Sequence, residues 1–157
     1  MSSPTQRRLP EGREDNLPNA SRDEDDCVPI APYATLHLSE TAVTNAGLKD
    51  LAPLENLSFL NLAGAKVTDA GLKDLAPFKR LAELNLSFTG VTDAGLKDLT
   101  PLKLTYLQLF KTQVTDACVK DLASLKTLTK LELQETKVTA AGVAELKKAL
   151  PKCEISH

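Results

Sequence analysis

Three observations in the sequence predict an α/β solenoid in which short strands and short helices alternate. The first is a phrase that returns five times: VTNAGLKDLAPL from Val43, VTDAGLKDLAPF from Val67, VTDAGLKDLTPL from Val91, VTDACVKDLASL from Val114 and VTAAGVAELKKAL from Val138. The second is its spacing of 24, 24, 23 and 24 residues. A fixed period of this length marks one supersecondary unit stacked on itself. The third is a constant element between the phrases, Leu57-x-x-Leu60-x-Leu62, which recurs as Leu81, Leu84, Leu86, as Leu104, Leu107, Leu109 and as Leu128, Leu131, Leu133. Tyr33, Leu36 and Leu38 form a weaker first copy.

Each unit opens with a strand. In x-Leu60-x-Leu62-x, apolar and variable positions alternate, as they do in a strand with one buried face. Three residues after the last Leu stands Thr41, Ala65, Thr89, Thr112 or Thr136, followed two later by the Val of the next phrase. A helix comes next. Thr68 is placed to cap it through its hydroxyl, and Asp69 suits the positive end of the helix dipole. Val67, Leu72 and Leu75 fall on the inner side. Asp69 with Lys73, Asp93 with Lys97 and Asp116 with Lys120 read as i,i+4 acid-base pairs on the outer side. Pro53, Pro77 and Pro101 then end the helices, because proline lacks the backbone donor and disfavours helix in the preceding residue. Strands joined through helices must run parallel with right-handed crossovers. The core is a leucine ladder, in which removing Leu84 or Leu86 costs about 2 to 5 kcal/mol.

The composite pattern L-x-x-L-x-L-x-x-T-x-V resembles the leucine-rich repeat, whose signature carries Asn or Cys where this chain has Thr. The resemblance covers residues 33 to about 155. The phrase VTDAGLKDLAPLK and the ending ELKKALPKCEI resemble tandem repeats abundant in planctomycete-type bacteria, and are similar to the repeats of the ribonuclease-inhibitor and F-box groups. The resemblance implies a curved solenoid with a parallel sheet on the concave side and short helices on the convex side. Two departures stand out: Cys118 replaces the glycine of the other copies, and one residue is missing between Lys103 and Leu104.

The chain has 157 residues, 42% of them hydrophobic and 25% charged, with a formal net charge of -2. Residues 1-26 hold four Arg against seven acids, leaving fifteen Lys or Arg against fourteen acids in the repeats. Neither part is basic enough to read as a nucleic-acid binder. Residues 1-28 are polar, Pro-containing and carry the run RDEDD, the composition of a disordered tail or linker. Residues 29-157 form the repeat domain, with about five repeats and terminal caps. Cys27-Val-Pro-Ile-Ala-Pro protects the first edge, and after a longer, Lys-rich helix a final short strand with Cys153 and Ile155 plugs the last. No apolar run is long enough for a membrane span, and no export signal opens the chain. Three cysteines without a C-x-x-C pair suit a reducing, cytoplasmic setting.

Nothing in the sequence has the spacing of a catalytic triad, nucleophile elbow, metal site or phosphate loop. The expectation is therefore a non-catalytic module without metal or cofactor. The variable strand positions are then the informative ones, and they stack in columns across the sheet. Thr35, Phe59, Glu83, Tyr106 and Lys130 form the first; His37, Asn61, Asn85, Gln108 and Glu132 the second; Ser39, Ala63, Ser87, Phe110 and Gln134 the third, with Phe88 just beyond Ser87. Of six aromatic residues in the chain, Phe59, Phe88, Tyr106 and Phe110 fall on or beside this face. Aromatic groups among hydrogen-bonding residues have the composition of a protein interface. The expected partner is a protein, with Tyr106, Phe110, Glu83 and Lys130 at the centre of the patch. Self-association through the aromatic face is a further expectation. Substrate recognition in a ubiquitin-ligase-like or signalling assembly and a structural role without a ligand are the alternatives, although 28 residues ahead of the repeats are too few for an F-box domain.

Overall fold

The structure, a computed structural model, describes residues 34–157. The expected tail and the expected proline-bearing cap at the first edge lie outside the described residues. Six strands, β1 (Ala34–His37), β2 (Leu57–Asn61), β3 (Glu83–Asn85), β4 (Tyr106–Gln108), β5 (Lys130–Glu132) and β6 (Glu154–Ser156), form one sheet in chain order. All neighbours pair in parallel. The helices α1 (Asn45–Lys49), α2 (Asp69–Leu72), α3 (Asp93–Leu96), α4 (Val119–Ser124) and α5 (Ala140–Ala149) connect them. This is the repeat solenoid read from the sequence, and β6 is the short final strand expected after the last helix. β6 extends the sheet, and half-buried Cys153 and Ile155 pack against the core.

The leucines of the constant element are buried in every copy from Leu57 onward, and Val67, Leu72 and Leu75 meet them from the helical layer. The Thr after each strand has a specific task. Thr41, Thr89, Thr112 and Thr136 donate their hydroxyls to the carbonyl three residues back, at 2.6 to 2.8 Å. The bond lets a polar side chain enter the core, since Thr112 is only 2% exposed. The missing residue before β4 is absorbed in the turn: Thr105 N–H still reaches Ala82 O at 2.7 Å, and β3 and β4 stay in register.

The helices are tighter than the phrase suggested. α2 and α3 are four residues each and run on as 3-10 turns, Lys73–Leu75 and Lys97–Leu99. The fourth copy reverses this order, with a 3-10 turn over Asp116–Cys118 before α4. α5, with no proline until Pro151, reaches ten residues. Among the described residues no helix is long and apolar enough to cross a membrane.

Two readings of the phrase need correction. Thr68 makes no capping bond to its own helix, whereas Thr92, Thr115 and Thr139 do. Nor do Asp69, Asp93 and Asp116 form ion pairs with the Lys four residues on; the ion pairs among the described residues are Lys111–Glu135 and Lys130–Glu132. Each carboxylate instead reaches sideways to the next repeat. Asp69 accepts both the N–H and the hydroxyl of Thr92, at 2.7 Å each. Asp93 does the same for Thr115 and Asp116 for Thr139. In the first copy Asn45 accepts from Thr68 N–H at 2.9 Å and donates from Nδ2 to its hydroxyl at 2.8 Å. Two bonds at fixed geometry outweigh a solvated i,i+4 pair worth a few tenths of a kcal/mol. Gly71 and Gly95 make room for their clasps, while the Asp93–Thr115 clasp forms beside Cys118 in the copy that lacks the glycine. A Cβ on Gly71 would lie 2.6 Å from Asn45 Oδ1, and one on Gly95 2.5 Å from Asp69 Oδ1.

Candidate functional site

The sheet face turned away from the helices carries the columns in the order expected. Phe59 lies opposite Thr35 and Glu83, Tyr106 opposite Glu83 and Lys130, and Gln108 opposite Asn85 and Glu132. Glu154 and Ser156 on β6 extend the first two columns by one position each. At about 4.8 Å per strand, six strands give a face about 24 Å across.

Glu132 organises the β4–β5 end of that face. Its Oε1 accepts from the Tyr106 hydroxyl at 2.5 Å and lies 3.2 Å from Lys130 Nζ, while Oε2 accepts from Gln108 Nε2 at 3.0 Å. Lys130 Nζ also stands 4.7 Å from the centre of the Tyr106 ring, a cation–π contact. The four side chains come from two adjacent strands, and each is held by at least one of the others. Burial raises the Tyr106 phenol above its ordinary value, and the bond to Glu132 adds to the rise. For Glu132, burial acts to raise the carboxyl, but the hydrogen bonds from Gln108, Tyr106 and Lys130 outweigh it and the net shift is downward. Lys130 is shifted up, chiefly by its bond to Glu132. The group is thus a charged, internally bonded cluster with half-exposed surfaces.

The β1–β3 end is built differently. His37 and Phe59 pack with ring centres 4.9 Å apart and planes tilted by 44°. Asn61 and Asn85 accept the backbone N–H two residues on, at 3.0 and 2.9 Å, so each amide is anchored by its oxygen and directs its NH2 group elsewhere. Exposed Glu83 has no ion-pair partner among the described residues.

Phe88 and Phe110 stand apart from both groups. They lie past the ends of β3 and β4, where the chain turns toward the helices, and pack edge to face at 5.1 Å. Phe88 has a left-handed backbone (φ 58) and is 54% exposed; Phe110 is half-buried. Glu40, Gly64, Lys111 and Glu135 occupy the same left-handed position in their own copies. This rim column was not read from the sequence. Its signal was Gly64, a glycine between strand and helix at a position that other copies fill with Glu, Phe or Lys.

Cys118 is fully buried, and burial together with the neighbouring Asp93 pushes its thiol up to about 12. It is unsuited to nucleophilic chemistry. Among the described residues no cluster of three or more His, Cys, Asp or Glu side chains is placed to hold a metal ion.

Comparison with known proteins agrees with this architecture. A family model described as Leucine Rich repeat matches residues 54–76 and 81–99. Among solved structures, the chain is similar to an LRR protein of Leptospira interrogans, with 24% identity and a TM-score of 0.51 over 69% of this chain and 33% of that one. An internalin of Listeria monocytogenes aligns with 23% identity and a TM-score of 0.45, covering 69% of this chain and 36% of that one. Internalin C2 of the same organism aligns with 23% identity and a TM-score of 0.38, covering 78% and 69%. The chain spans about a third of the length of the first two. No curated protein matches it.

Proposed function

We propose that the chain is a non-catalytic binding module that holds a partner protein against the sheet face opposite its helices. The observation that carries this reading is the Tyr106–Glu132–Gln108–Lys130 cluster. Ordering side chains at an interface costs about 0.5 to 1.5 kcal/mol for each rotamer-rich group. Here four such groups are already ordered in the free protein by bonds to one another. The ring of Tyr106 and the stem of Lys130 offer apolar surface, while the Asn61 and Asn85 amides and the Glu83 carboxylate offer donors and an acceptor nearby. Phe59, Gln108 and Glu132 complete the sheet part of the patch, and Phe88 and Phe110 extend it over the rim. A preordered aromatic anchor beside unpaired polar groups is the arrangement of a hot spot with its surround. Leucine-rich repeats as a class fit a binding role, and their open sheet lacks the closed, water-excluding pocket that catalysis favours.

The test is affinity capture from source-cell lysate with the immobilised full chain, beside a Tyr106→Ala/Phe110→Ala version checked for folding by circular dichroism. A protein retained by the wild type and lost by the variant is then purified and titrated against both. Loss of the aromatic anchor weakens binding at least ~10-fold, equivalent to about 1.4 kcal/mol. Equal affinity for the two would move the site to the helical side or the termini and refute the proposal.

A further inference from the structure

The five rim residues in the left-handed position form one continuous row. A Cβ on Gly64 would lie 3.5 Å from Glu40 Cγ, Lys111 Nζ lies 5.5 Å from the centre of the Phe88 ring, and Lys111 Nζ approaches Glu135 to 3.8 Å. In order along the solenoid the row reads acid, gap, aromatic ring, base, acid. The gap at Gly64 is an open notch of about 330 Å3 lined by Ser39, Glu40, Ala63, Gly64 and Phe88. Phe88 rests on Phe110 and leaves much of its ring exposed. A bulky L-residue is disfavoured in this backbone conformation. The most exposed aromatic residue among the described residues thus stands at a strained site, next to a notch able to receive a ring.

From this row we infer that the rim is a self-complementary surface through which two copies of the chain associate about a two-fold axis. In an isologous contact each surface meets itself in reverse order. An axis midway between Gly64 and Phe88 seats each Phe88 in the other copy's Gly64 notch. The same axis sets Glu40 of each copy against Lys111 of the other, without any further adjustment. Other registers are poorer. An axis through Phe88 opposes Glu40 to Glu135, and an axis through Lys111 opposes it to itself, both like-charge contacts that discriminate against those arrangements. An axis midway between Lys111 and Glu135 pairs those two charges but leaves Phe88 and the Gly64 notch outside the contact, so only the first register uses both shape and charge. The strip is narrow compared with the roughly 1,200 to 2,000 Å2 of stable interfaces, which points to a dissociation constant on the order of 10⁻⁴ M. The contact shares Phe88 with the rim end of the partner patch but uses none of the strand columns, and sedimentation of the chain alone reads it independently of that patch.

The experiment is sedimentation equilibrium of the full chain from roughly 10 µM to about 1 mM, bracketing that dissociation constant. The wild type should pass from one chain to two with rising concentration. Gly64→Asn fills the notch with a residue that tolerates positive φ, and should weaken association at least ~10-fold (about 1.4 kcal/mol). Glu40→Lys and Lys111→Glu each place like charges across both symmetry-related pairs, so each variant alone should remain monomeric. Mixed together, they restore both pairs and should form a one-to-one heterodimer. A monomeric wild type throughout the range, association that survives the charge variants, or failure of the mixture to associate would each overturn the inference.

Discussion

Replacing Asp69 with alanine tests whether lateral clasps hold one repeat to the next. In the folded chain the Asp69 carboxylate accepts two bonds from Thr92, one from the backbone N–H and one from the hydroxyl, both at 2.7 Å. A hydrogen bond to a charged group contributes about 1.5 to 3 kcal/mol, and a partner stranded without water costs a similar amount. Asp69 and Thr92 are half-buried, so water takes up part of the loss. Asp69→Ala should therefore cost about 2 kcal/mol, less than the full value of two such bonds. With a urea slope of about 2 kcal/mol per M, the midpoint falls by ~1 M. Asp69→Asn is the control supplied by the protein itself, because Asn45 makes the same two contacts to Thr68. It should cost about 1 kcal/mol or less, the range of an ordinary neutral bond. Urea unfolding followed by far-UV circular dichroism measures both. If alanine cost under ~0.5 kcal/mol with an unchanged slope, or if asparagine cost as much as alanine, the clasp would not be a stabilising contact and the argument would fail.

Glycines at one position of the phrase should differ in their tolerance of alanine. Gly47→Ala meets only Val43 Cγ1 at 3.6 Å and should be neutral or stabilising by up to about 1 kcal/mol, whereas Gly95→Ala brings a Cβ to 2.9 Å from Asp69 Cα and should destabilise in the same urea assay. Glu132 has a folded-state pKa below its ordinary value of 4.5, so its contribution to stability is present above about that pH and is lost as pH falls through the folded value. A carboxyl carbon NMR titration should place it below 4.5, and Tyr106→Phe, which deletes one donor, should move it upward. Cys118, buried and shifted to about 12, should resist iodoacetamide at pH 8 in the native protein while partly exposed Cys153 reacts. Equal alkylation of the two, read by mass spectrometry, would contradict the buried placement of Cys118.

The part of this protein legible in the sequence is the part that repeats with the chain. A parallel sheet built from one strand per period puts position n of each copy beside position n of the next. Aligning the copies on their leucines therefore sets Phe59 beside Glu83 and Gln108 beside Glu132, as the sheet register has them. The short final strand was legible too, because Ile155 keeps the buried position that Leu131 holds in the copy before it.

Contacts between copies were harder to read, because sequence spacing measures distance along one helix and not the gap to the next. Asp69 and Lys73 have the separation of an i,i+4 pair, yet Thr92, 23 residues away, holds the carboxylate. One clue was present: the first phrase puts Asn45 where the next three copies have Asp, an uncharged residue that forms no ion pair with Lys49 yet makes the same two contacts to Thr68. The left-handed rim was equally hidden, since Glu40, Phe88, Lys111 and Glu135 share no side-chain property. What they share is a backbone turn imposed by the exit from the sheet toward the helices. Side-chain pattern and period by themselves determined the solenoid, its core and its columns, because burial and strand pairing act at every copy alike. Only the tertiary structure decided the clasps, the Glu132 cluster and the rim, because each depends on how far apart neighbouring copies stand and how the chain turns between them.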